Sequence, residues 1–221
     1  MNFILELEKA FRENASTATA APMEAYMKNN FPFFGIKTTP RREILKELWK
    51  THKEEIRQNS RAIAEELFSK NEREFHYCAI EILIKELKKN YIKDDITIIE
   101  KMIITHSWWD SVDTIAKFML GNYLELFPEE RQKIVSKFSS SDIMWLNRSA
   151  ILFQLDYKAK TDAGLLFSIC EQHKDSKEFF IQKAIGWALR DYSRFNPKGV
   201  TEFVNKTDLK PFSKREAMRN L

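Results

Sequence analysis

The chain predicts an all-α fold, and three observations carry that prediction. Apolar residues recur with helical spacing through almost all of the 221 residues. Glycine is scarce, five in all, beside six prolines and few β-branched alternations. Small alanines recur inside the helical patterns at Ala79, Ala116, Ala150, Ala184 and Ala217, separated by 37, 34, 34 and 33 residues. A period of this size, with two helices per unit, marks an α-helical solenoid of the tetratricopeptide or HEAT type. Alanine suits the recurring position because stacked helices approach closely there, and a larger side chain would overpack the contact. Such arrays curve, and their concave face is an extended binding surface.

The apolar stripes define the elements in order. Ile44, Leu45, Leu48 and Trp49 form one helical face, and Ile63, Ala64, Leu67 and Phe68 the next. Ala79, Ile82, Leu83 and Leu87 follow, then Ile96, Ile99 and Ile103. The longest stripe is Val112, Ile115, Ala116, Met119, Leu120 and Tyr123. The second half continues with Ala150, Ile151 and Leu155, with Leu165, Leu166 and Ile169, and with Ile181, Ala184, Ile185, Ala188 and Leu189. Breaks fall at Pro32 to Gly35, Asn71, Pro128, Ser139 to Ser141, Asn196-Pro197 and Pro211. None is long enough for an interdomain linker, so residues 1–221 are expected to form a single domain.

Composition excludes several function classes. No apolar run reaches the length of a membrane span, and the acids of Met1-Asn2-Phe3-Ile4-Leu5-Glu6-Leu7-Glu8 interrupt any signal-peptide core. Cys78 and Cys170 lie within helical apolar patterns, which suits reduced core residues of a cytoplasmic protein. The five glycines cannot assemble a phosphate loop or a dinucleotide fingerprint. His52, His76, His106 and His173 form no metal-ligand pattern.

Charge is distributed unevenly. Residues 131–221 carry 17 Lys and Arg against 10 Asp and Glu, a net +7, while residues 1–130 carry 19 against 22, a net −3. A basic second half is a footprint for a polyanion such as nucleic acid. Within the first half, Trp108-Trp109-Asp110-Ser111-Val112-Asp113 sets two indoles before a carboxylate. If helical, it places Trp109 and Asp113 on one face, one turn apart. A flat π surface beside an anion suits a planar, cationic ligand. By spacing alone the same residues also fit a core tryptophan and a solvated aspartate.

Four strings together resemble the AlkD family of bacterial DNA alkylation-repair glycosylases. They are Ser107 to Asp113, Trp145 to Gln154, Ser176 to Arg190 and Ser213 to Ala217. The likeness extends to Tyr26-Met27-Lys28-Asn29 and Gly35-Ile36, so it covers essentially the whole chain. The resemblance implies a right-handed α-α superhelix of about six HEAT-like repeats with a concave basic face. It also implies a monofunctional DNA glycosylase for cationic N3- and N7-alkylated purines. Asp113, Trp109 and Trp187 match the family's catalytic positions, and Arg148 matches one that holds phosphate. Tyr26, Lys37, Lys183, Arg190, Lys214 and Arg215 become DNA contacts. Relatives often carry Gln after the Gly-Ile pair, where this chain has Lys37. That cation would help binding if directed at phosphate and oppose it if directed at a cationic lesion. The implied partner is duplex DNA containing alkylated bases, met by a monomer in the bacterial cytosol, with no metal, organic cofactor or membrane. The rival reading is a non-catalytic HEAT-repeat module that binds DNA structures or protein. The two differ at Asp113, which a binding module does not need.

Overall fold

Every regular element is helical among the described residues, 2–219 and 221 of the computed structural model. The chain divides into two compact units, residues 1–90 and 91–221. The first holds α1 (Asn2–Glu13), α2 (Thr17–Tyr26), α3 (Thr38–Thr51), α4 (Lys53–Phe68) and α5 (Arg73–Leu87). The amphipathic face of α1 buries Phe3, Ile4, Leu7 and Phe11, the last against Phe34 and Phe75.

The segment between α2 and α3 is fixed by one carboxylate. Glu74 is fully buried and accepts the backbone N–H groups of Phe34 (3.1 Å), Gly35 (3.0 Å) and Ile36 (3.0 Å). Burial pushes its pKa up although these amides oppose the shift. Gly35 has φ +85°, and a Cβ there would lie 2.2 Å from Ser16 O, so only glycine fits. Ser16 caps α2 through Thr19 N and donates its own N–H to Phe34 O at 2.8 Å. These bonds set the entry into α3, where Lys37 is the exposed residue before the first turn.

The second unit holds α6 (Asp95–Ile104), α7 (Trp109–Thr114), α8 (Gly121–Leu126), α9 (Arg131–Ser139) and α10 (Met144–Leu152). It continues with α11 (Ala163–Gln172), α12 (Phe179–Ser193), α13 (Pro197–Lys206) and α14 (Pro211–Ala217). The longest apolar stripe is not one α-helix: a π-helical turn at Ile115–Leu120 joins α7 to α8. Its apolar face nevertheless stays continuous, with Val112, Ile115, Ala116, Met119, Leu120 and Tyr123 all buried. Leu155, expected within a helix, lies beyond α10 in a turn where Asp156 takes φ +67°, a left-handed value that helix cannot continue through. The breaks at Asn196-Pro197 and Pro211 are helix starts, with proline in the first turn of α13 and α14.

The repeat is visible as stacking. Helix α9 packs on α10, α10 on α12 and α12 on α14. Side-chain links join positions one period apart: Lys137 to Glu100 across 37 residues, Lys160 to Glu125 across 35 and Ser139 to His173 across 34. All five recurring alanines are buried. Gly186 marks a close crossing of α12 and α14, where a Cβ would lie 2.4 Å from the Glu216 Cβ.

In the first unit, His52 bridges Glu6 (2.9 Å) and Glu55 (3.1 Å). The hydrogen bond that the protonated ring donates to Glu6 leads the effects that raise its pKa above the ordinary histidine value. The stability that the protonated ring contributes is therefore full below roughly pH 6.5 and lost as pH rises through the folded-state pKa. Melting curves should separate the chain from its His52→Gln variant most at about pH 6 and least at about pH 9. A gap that stays constant, or widens with pH, would show that the bridge does not act through its charge.

Candidate active site

The carboxylate singled out in the sequence sits on the short helix α7, whose first residue is Trp109. Because that segment is helical, Trp109 and Asp113 share a face one turn apart. Arg148 comes from α10, which packs against both α7 and α12. Its Nε donates to Asp113 Oδ1 at 2.7 Å and its Nη2 to Oδ2 at 2.8 Å. A third donor, Nη1, bonds the Phe180 carbonyl on α12. Three helices thus meet on one guanidinium.

The pair is asymmetric toward solvent. The Arg148 side chain is 2% exposed and the Asp113 side chain 14%. Burial pushes the Asp113 pKa above the ordinary aspartate value, and the hydrogen bonds and charge of Arg148 pull it back. Asp110 adds to the rise and Lys183 opposes it. Arg148 thus favours the ionised form of a carboxylate that burial disfavours.

Behind Arg148 stands an aromatic wall. Trp145 and Phe180 lie 5.1 Å apart between ring centroids, with Trp108 5.4 Å from Phe180 and 5.9 Å from Trp145. The Arg148 guanidinium carbon is 5.8 Å from the Phe180 ring. The Trp108 indole nitrogen is buried with no hydrogen-bond partner among the described residues. The Arg148 side chain is itself almost sealed from water, which strengthens its hold on Asp113. Trp187 is half-buried, two turns after Phe180 on α12.

The remaining expected DNA contacts divide. Lys183, Lys214 and Arg215 are exposed. Lys183 lies 5.8 Å from the Phe179 ring and Arg215 5.3 Å from Phe212, and those two rings stack at 5.4 Å. Tyr26 and Lys37 are exposed in the first unit. Two of the expected contacts are engaged within the chain. Arg190 pairs with Glu216 at 2.7 Å, with both side chains about one-fifth exposed, so it ties α12 to α14. Arg148 is expected on a phosphate, yet its fork is filled by Asp113 and its side chain is sealed. Its geometry makes it the residue that holds the aspartate.

Sequence reasoning overlooked Phe180 and Trp145 beside the site, and named Trp108 only as the first of two adjacent indoles. All three lie in the matched strings, but a backbone carbonyl and a supporting ring carry no chemical signature of their own.

A family model described as DNA alkylation repair enzyme matches residues 7–221. Among solved structures, the chain is similar to a predicted DNA alkylation repair enzyme from Enterococcus faecalis, with a TM-score of 0.86 and 34% identity. The match covers 94% of this chain and 96% of that one. No curated protein matches. With an all-helical fold, a buried Asp113–Arg148 pair and a family match over nearly its whole length, the chain belongs to the DNA alkylation repair enzymes.

Proposed function

We propose that the chain is a monofunctional DNA glycosylase that hydrolyses the N-glycosidic bond of cationic N3- and N7-alkylpurines in duplex DNA. Residues 1–221 would act together as one domain and as a monomer, a reading supported by the single family match over residues 7–221. The observation that carries the proposal is Asp113: held in both oxygens by Arg148, open on its own side and one helical turn from Trp109.

Alkylation at N3 or N7 leaves the purine positively charged, so the base departs as a neutral molecule when the glycosidic electron pair moves onto it. No proton donor is needed for that step. The sugar left behind is an oxocarbenium-like cation at C1′. Water adds at C1′ and loses its proton, leaving an abasic sugar. The enzyme's task is to favour charge developing on the sugar, and a preorganised carboxylate does so without reorganising during the reaction. Asp113 fills that role and orients the water. Trp109 and Trp187 would hold the lesion nucleotide through its sugar and backbone, since an indole face attracts positive charge. Lys183, Lys214 and Arg215 would position the duplex through phosphates without reading sequence.

Asp113→Asn should lower single-turnover release of N7-methylguanine by on the order of 10² to 10³, with DNA affinity within a few-fold. Excision near the wild-type rate would remove Asp113 from the mechanism.

Arg148 should act through Asp113. The active carboxylate is the ionised form, so the rate is lost as pH falls through the raised Asp113 pKa. Arg148→Lys retains a cation but loses the bidentate fork, which should lift that acid limb to higher pH. Arg148→Ala leaves a buried charge without its partner and should also destabilise the fold by about 3–5 kcal/mol. An acid limb that stays in place in a folded Arg148→Lys protein would refute the positioning role.

Charge selectivity tests the chemistry itself. N7-methylguanine should be released, whereas hypoxanthine, uracil and 8-oxoguanine, all neutral at neutral pH, should not. The rate on the cationic lesion should also show no loss on the alkaline side attributable to a general acid. Efficient removal of a neutral base would mean that the site contains a proton donor, and the mechanism above would fall.

A further inference from the structure

Within the first unit, α3, α5 and the start of α4 enclose a cleft of about 480 Å³. Leu45 and Trp49 form its apolar wall, and five cations rim it: Arg42, Lys46, Lys50, Lys53 and Lys85. The carboxylates that face it are Glu81 and Glu86.

Glu81 is already committed. Burial opposes its ionisation, yet hydrogen bonds from Arg41 (2.8 and 3.0 Å) and Arg42 (2.8 Å) hold its pKa below the ordinary value. Lys50 pairs with Glu47 at 2.8 Å. Lys46, Lys53 and Lys85 make no ion pair among the described residues. Lys85 instead places its ammonium 3.8 Å from the centre of the Trp49 ring. Three ammonium groups without a direct ion pair gather around one cleft, where cations outnumber the two facing carboxylates, and a bound anion lowers their mutual repulsion. Lysine ammonium groups are compact point charges suited to phosphate oxygens. Leu45 and Trp49 are buried at the back of the cleft and Lys85 lies over the indole, so the ammonium groups are what a ligand would meet; the volume lies within the usual range for small-ligand sites, about 300–1,000 Å³.

We propose that this cleft binds a phosphate ester, either a nucleotide within a DNA strand or a free nucleotide. The strand form rests on the DNA reading above, and the free-nucleotide form does not.

The test uses the full chain and its Lys46→Ala/Lys85→Ala double variant. Both positions are exposed and neither belongs to the Asp113 site. Calorimetric titration with thymidine 3′,5′-bisphosphate and with an undamaged 12-base-pair duplex distinguishes the two sources. If the ligand is a strand, the duplex binds at least about fivefold more weakly to the variant. The slope of log affinity against log salt then becomes shallower by about two, one for each phosphate no longer neutralised, and the bisphosphate gives no binding heat. If it is a free nucleotide, the bisphosphate binds the full chain and loses at least about tenfold in the variant. A variant with an unchanged melting curve that binds both probes as the full chain does, with the same salt slope, overturns the proposal. When the full chain still releases N7-methylguanine in that case, only the cleft assignment fails. A full chain that binds neither probe overturns the cleft and the DNA reading together.

Discussion

An arginine with 1% of its surface exposed keeps its charge only if other groups replace the water it has lost. For Arg148 those groups are both oxygens of Asp113 and the carbonyl of Phe180. Desolvating such a pair is costly by several kcal/mol per ion, and attraction offsets that only when the geometry is good and the remaining donors are satisfied. The parallel bonds at 2.7 and 2.8 Å meet the first condition. Buried pairs of this kind are often no more stabilising than apolar residues of equal volume. Fold stability is thus a weak reason for the pair to exist. What the geometry supplies is a carboxylate that cannot rotate away, supported from behind and open in front.

The pair depends in turn on the repeat. Asp113 and Arg148 are 35 residues apart, and Phe180 follows after a further 32, close to the spacing of the recurring alanines. Stacking therefore brings equivalent positions of successive units into contact, and a residue at one site meets its partner one period later. Ala116, Ala150 and Ala184 are buried beside these functional positions. A larger residue at any of them would push the helices apart. The donor–acceptor distances on Arg148 have no slack for such a shift.

The helices and their stacking were legible because apolar periodicity and small-residue spacing are written into every repeat. The π-helical turn at Ile115–Leu120 was not, because it preserves the same buried face. In the site, Trp109 and Asp113 could be paired from local spacing. Arg148 could be located but its role could not, since a guanidinium binds phosphate and carboxylate through the same fork. Arg190 presents the same ambiguity, and in the structure it pairs with Glu216. Glu74 gave no signal at all. Its acceptors are filled by backbone amides of Phe34 to Ile36, and backbone has no sequence identity to read.

The exposure difference across the pair gives the site its polarity. With Arg148 sealed at 2% and Asp113 open at 14%, the salt bridge is a dipole whose negative end faces outward. At a distance the two charges nearly cancel, so the pair attracts a cation only at close range. Loss of the arginine would not strengthen that attraction. Burial already pushes the Asp113 pKa upward, and without its partner the carboxyl would move further toward the neutral form. The arginine that cancels the aspartate at long range is also what favours its anionic form at contact distance, the form on which the proposed chemistry depends.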